Sequence, residues 1–384
     1  MAFFKAVKDK MAPAFFLLLL LNVGLVVGAH PAFRLPWKKT DWKYQAFAGL
    51  MRQGFQDAIT LARVVVLSGT DCDPPQDFEF VQALFGKIAN IDPPKNPNPA
   101  DTIALLPTFD MESSLSSFWS NLMITFGDYP RMPADLRTPT SSKCVGIIPN
   151  GYLYYDAKAP RPDNWDFQGA CYMTLCPQAE VFNFRLDLAG TENPPDWARD
   201  DKGNPQPGWG CSGLGDTDSG YMKVIGSTVL HEMFHCLDIF AGVANYDKFI
   251  YDGRHYGFND QIHKIIDYPT EDRAYGPWRA ANLNQQPPDP DTGMSQSIQN
   301  ADNYVWYALS KYWSWKCGRP FGPANADIDQ TFNARRGTVP APDPPTRRGG
   351  NPPSAAQMEK ERRSVTGNFT SVADILLDMG FEWA

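Results

Sequence analysis

The pentapeptide His231-Glu232-Met233-Phe234-His235 constrains this chain more tightly than any other feature of its sequence. On a helix, two histidines four residues apart share one face about one turn from each other, so both imidazoles can hold a single metal ion. Glu232 projects beside them without being a ligand, placed to take a proton from water held at the metal. The flanking Thr228-Val229-Leu230 and Cys236-Leu237 are uncharged, as suits a buried helix beneath a metal. The same spacing also arises by chance in helices whose histidines are solvated. Here the context argues against chance. Of the five histidines in 384 residues, His231, His235, His255 and His263 fall in one segment, and Ile225, Val229, Phe234 and Leu237 make the helix largely apolar.

The length suits one large or two modest domains with ample core. A net charge of -8 argues against a nucleic-acid partner and fits a protein that meets basic substrates. At the N-terminus, Lys5, Lys8 and Lys10 precede an uncharged run from Met11 to Ala29 that contains Phe15-Phe16 and Leu17 to Leu21. Val27-Gly28-Ala29 offers small residues for cleavage, so residues 1–29 read as a signal peptide and the product as secreted, extracellular and free of the membrane. An uncleaved anchor is the competing reading, and Pro13, Asn22 and the closing Gly-Ala speak against it. Seven scattered cysteines, with no CxxC pair, fit disulfides in an exported protein. The odd number leaves at least one unpaired within the chain. Cys236 reads as a buried free thiol, with a bond to Cys317 as the alternative. Asn368-Phe369-Thr370 is an N-glycosylation sequon.

Residues 41–67 predict a long amphipathic helix, with Phe47, Leu50, Met51, Phe55, Ala58, Ile59, Ala62 and Val65 on one stripe. A second helix is expected from about Ser114 to Phe126. Cys144 to Ile148, Tyr152 to Tyr155, Ala170 to Leu175 and Val181 to Leu186 read as short strands of a small antiparallel sheet. A Gly/Pro/Asp-rich loop from about Glu192 to Gly220 leads into the histidine helix. A further helix is expected through Ile298, Ala301, Tyr304, Val305, Ala308 and Tyr312. The expected organisation is therefore a mainly helical α+β catalytic domain over 30–319. Residues 320–384 are expected to form a Pro/Arg-rich, disordered tail, of which Val372 to Trp383 is apolar enough to dock back.

A catalytic zinc usually has three protein ligands and one open position. Spacing leaves Asp238, Asp252, His255, His263, Asp267, Asp272 and Asp302 as candidates for the third. Thr270-Glu271-Asp272-Arg273-Ala274-Tyr275-Gly276 resembles the T-x-D-x-x-Y-G segment of the deuterolysin family, the aspzincin zinc endopeptidases. The histidine helix, the segment Asn300-Ala301-Asp302-Asn303-Tyr304 and Asp57 with Ala58 to Ala62 resemble further parts of that family, so the likeness spans roughly residues 45–316. The chain departs from the pattern at Pro269, where the family has Gly, and in the longer interval between His235 and Asp272.

The resemblance implies a zincin-like metalloprotease domain with one catalytic zinc ion on His231, His235 and Asp272. It implies Glu232 as general base and proton shuttle, Tyr275 as donor to the oxyanion, and protein or peptide substrates. Asp302 would hold a histidine N–H or cap its helix. The rival expectation is a secreted, non-catalytic zinc-binding interaction protein on the same fold. Oligomeric state is not legible from the sequence.

Overall fold

The computed structural model describes residues 31–34, 42–68, 75–92, 118–119, 122–126, 151–156, 170–176, 187–194, 196–257, 261–269 and 274–324. The expected signal segment, the strands expected at Cys144–Ile148 and Val181–Leu186, the sequon and the expected tail beyond residue 324 lie outside them. Among the described residues no helix is long and apolar enough to cross a membrane.

The fold is α+β, with helices stacked beside a small sheet. Helix α1 (Trp42–Leu67) matches the expected amphipathic stripe, and Met51, Phe55, Ile59, Ala62 and Val65 are fully buried. It packs on the histidine helix α4 (Ile225–Phe234) and on α6 (Ala301–Cys317). Small residues set the closeness of the α1–α4 contact. A Cβ on Gly226 would lie 2.3 Å from that of Asp57, and one on Gly54 would touch Ile225. Helix α2 (Pro75–Ala89), which the sequence reading did not anticipate, lays Phe85 edge-on against Phe234, itself stacked on Tyr304 at 4.3 Å. The short α3 (Leu188–Glu192) and α5 (Pro277–Asn284) flank this core.

The sheet has strands β1 (Ala32–Arg34), β2 (Leu122–Phe126), β3 (Gly151–Asp156) and β4 (Ala170–Leu175) in the order β1-β2-β4-β3. It is mixed, which corrects the antiparallel expectation: β1, β2 and β4 run parallel, and only β3 is antiparallel to its neighbour. The helix expected up to Phe126 is also corrected, because Leu122–Phe126 is strand β2. Leu122, Ile124 and Thr125 are all buried in an interior strand, and a short apolar run of that kind does not show its period in sequence.

Cys236 is not a free thiol. It pairs with Cys171 of β4, tying the sheet to the end of α4, while Cys317 pairs with Cys211. The chain still bonds to the body at the start of the expected tail, where Gly322 bridges to Thr217.

Candidate metal centre

Helix α4 is buried along almost its whole length. Its start is closed by Ser227, whose hydroxyl bonds both backbone groups of Val224. His231 lies in the last turn and His235 is the C-cap residue, still in helical conformation, so the two imidazoles remain on one face. Their Nε2 atoms are 3.3 Å apart. Oδ1 of Asp267 joins them, 2.9 Å from Nε2 of His231 and 3.4 Å from that of His235. Among the described residues these three side chains form a group that could hold a metal ion.

The second nitrogen of each ring explains why the first points inward. Nδ1 of His231 lies 3.2 Å from Oδ1 of Asp302, and Nδ1 of His235 lies 2.9 Å from the Ile265 carbonyl. Both partners are acceptors, so in the neutral rings each Nδ1 carries the proton and each Nε2 presents a lone pair. Oδ1 of Asp267 is buried and receives no hydrogen bond. With both rings neutral, three acceptor atoms converge with no donor between them, at separations close to the edge of about 3.3 Å expected around a four-coordinate ion with bonds near 2.05 Å. This donor set of two imidazoles and one carboxylate fits a divalent cation.

The electrostatics say the same. Burial would raise the Asp267 carboxyl, but the imidazoles of His235 and His231 hold it far below the usual carboxylate range. Burial works to lower both histidines, and the Asp267 carboxylate overrides it and holds them above their ordinary value. The cluster is stabilised by positive charge at its centre, whether protons or a metal ion supply it.

Glu232 lies on the same turn and is 3 % exposed. Its Oε2 has no hydrogen-bond partner, and burial is the main cause of its raised carboxyl pKa. Gly151 of β3 makes room for it, since a Cβ there would sit 3.2 Å from Oε1 of Glu232 and 2.8 Å from the Thr174 carbonyl. Strand β3 is one of the two outer strands of the described sheet, and its first residue, Gly151, lies against the Glu232 side chain.

Of the residues singled out in the sequence, the structure brings together His231, Glu232, His235, Tyr275, Asp267 and Asp302. Asp272 lies outside the described residues; Asp267 supplies the carboxylate that converges with the histidines. The Tyr275 hydroxyl donates to the other oxygen of Asp267 at 2.7 Å. His255 stacks on Tyr251, and His263 bonds the Ile250 carbonyl, so neither joins the group. Asp252 holds Arg254. Asp302 holds His231, as the sequence reading allowed, and also accepts the Gly276 N–H and the Trp306 indole N–H. Burial raises its carboxyl, but Lys223, His231 and the Gly276 N–H outweigh that and bring it down to about 2. The roles of Gly151 and Ile265 were missed, since nothing local in the sequence marks a glycine or a backbone carbonyl that meets α4 only in the fold.

No family model, curated protein or solved structure matches this chain.

Proposed function

We propose that this chain is a secreted zinc endopeptidase of the deuterolysin type, with His231, His235 and Asp267 as the residues that would hold the ion. The observation that carries this reading is the convergence of three acceptor atoms beside a buried glutamate whose Oε2 has no hydrogen-bond partner. A zinc ion bound there supplies Lewis-acid polarisation of a carbonyl and lowers the pKa of water.

The chain's own groups do the rest. Glu232, raised by burial, accepts a proton from the attacking water and delivers it to the leaving amine nitrogen. Asp302 and the Ile265 carbonyl fix both imidazole rings before substrate arrives. Tyr275 serves the developing oxyanion by exchanging its hydrogen bond to Asp267 for one to substrate. The outer edge of β3 aligns an extended peptide by backbone pairing, which favours a peptide over another hydrolysable substrate. The disulfides Cys171–Cys236 and Cys211–Cys317 among the described residues support an oxidising, extracellular setting, and cleavage of residues 1–29 would deliver the protein there.

The test is incubation of the purified protein with an unfolded protein substrate, with mass spectrometry of every new terminus and Glu232→Gln in parallel. New termini in the wild type should fall at least about 100-fold in the variant while zinc content is retained. A folded, zinc-loaded wild type that makes no cuts would overturn the peptidase reading in favour of a binding protein.

A further inference from the structure

We infer that Asn300 is the positioning residue for the Asp267–Tyr275 edge of this site, an inference that rests on the metal-site reading above. Asn300 occupies the N-cap of α6, where an asparagine ordinarily accepts an N–H from the first helical turn. It makes no such bond. Its fully buried carboxamide is instead directed at the loop that carries the site. Oδ1 accepts the Tyr268 N–H at 3.1 Å, and Nδ2 donates to the Ala274 carbonyl at 3.1 Å. Nδ2 also donates to Oδ1 of Asn303 at 2.7 Å.

Tyr268 directly follows Asp267, and Ala274 directly precedes Tyr275. One side chain therefore grips the backbone beside both members of the Asp267–Tyr275 pair. The Ala274 N–H closes the same loop onto the Tyr268 carbonyl at 3.1 Å. Asp302, two residues further along, takes the Gly276 N–H and orients His231. The start of α6 thus sets the carboxylate and the phenol against the histidine helix.

The residue type follows from this task. Serine and aspartate cap a helix as well as asparagine does. Serine is too short to reach both backbone groups, and an ionised aspartate has no donor for the Ala274 carbonyl. Asn300 itself touches none of the three converging atoms in any bond the structure shows. It acts through the backbone on either side of them.

The experiment measures zinc affinity, by competition with a chromophoric chelator, and the thermal midpoint of the metal-free full chain. The proteins are the wild type, Asn300→Ser and Gln299→Ala. Gln299 is the control: it is adjacent and buried, but its side chain holds Phe249, Tyr251 and Tyr256 instead. Asn300→Ser, still able to cap, should bind zinc about tenfold more weakly or worse, the scale seen for lost outer partners of metal ligands. Gln299→Ala should lower the thermal midpoint and leave zinc affinity unchanged. Wild-type affinity in Asn300→Ser, or equal losses in both variants, would overturn the assignment. If Asn300→Ser does not fold, Asn300→Gly, which also serves at an N-cap, gives the same reading, and unweakened binding there overturns it. Failure of the wild type itself to bind zinc would defeat the metal-site reading, a result that involves no variant.

Discussion

Asp302 and His231 are joined through Oδ1 and Nδ1 at 3.2 Å, and the other Asp302 oxygen is held by Gly276 N–H at 2.6 Å and Trp306 Nε1–H at 2.9 Å. A single buried carboxylate therefore connects α4, α6 and the backbone next to Tyr275. It fixes the ring orientation and tautomer of His231 at once, so that Nε2 faces Asp267. The histidine face of α4 is in this sense set by the start of α6 as much as by the histidines themselves.

Replacement of Asp302 by Ala should weaken zinc binding by about 10- to 100-fold, the range for removal of a histidine's carboxylate partner. It should also destabilise the protein, because the Gly276 and Trp306 donors are left buried without an acceptor. Chelator competition on the folded variant, with thermal unfolding alongside, separates the two effects. Full affinity in a protein that merely melts earlier would confine Asp302 to a packing role.

The identity of the third ligand is decided by two substitutions compared directly. Asp267→Asn should remove high-affinity zinc binding, since Asp267 supplies the only carboxylate oxygen that meets both Nε2 atoms among the described residues. Asp272→Asn should retain one zinc per chain. The opposite pattern, read by metal analysis after dialysis, would return the ligand to Asp272 as the resemblance implies.

The histidine pair and the glutamate were legible because they depend on helical spacing alone, and α1 was legible because its apolar stripe runs for many turns. The third carboxylate was legible only as one of several candidates. Asp267 approaches α4 only because Ile266 pairs with Asn300 and Ile265 receives His235, contacts between segments far apart in sequence. Strand β2 was misread for a related reason: burial on both faces erases the alternation that marks a strand. The pairing of Cys236 with Cys171 likewise depends on β4 packing behind α4, which no cysteine spacing encodes.

Gly151 offers a test of the strand wall. Its Cβ contacts would be with backbone at 2.8 Å and with the Glu232 side chain at 3.2 Å, so Gly151→Ala must displace either β3 or the glutamate. Overpacking of this kind costs about 1–3 kcal/mol. We expect a lower thermal midpoint and a fall in turnover larger than any change in zinc affinity, because the displaced group is the proposed base and not a proposed ligand. Unaltered turnover on a peptide substrate would show that the contact between β3 and Glu232 has no part in the chemistry.

A pH-dependent contribution to stability should arise at Asp57 of α1, packed against Gly226 of α4. Its carboxyl is pushed from the ordinary 3.8 up to about 8, chiefly by burial and further by Asp187, against hydrogen bonds from Leu188 N–H and Gln53. The folded state therefore keeps a proton that the unfolded chain releases. Below about pH 4 both states are protonated and the contribution is fully present; between about pH 4 and pH 8 it declines, and above that both are ionised. Asp57→Asn cannot ionise, so its thermal midpoint should fall less than that of the wild type over the same window. Asp187 is also raised by burial and Asp218 is pushed up to about 7, so each contributes to the wild-type slope. The difference between the two melting curves reports Asp57 together with its coupling to Asp187, whereas Asp218 titrates in both proteins. Parallel curves from pH 5 to pH 8 would show that Asp57 is already ionised in the fold, and that Leu188 N–H and Gln53 suffice to hold the charge beneath α4.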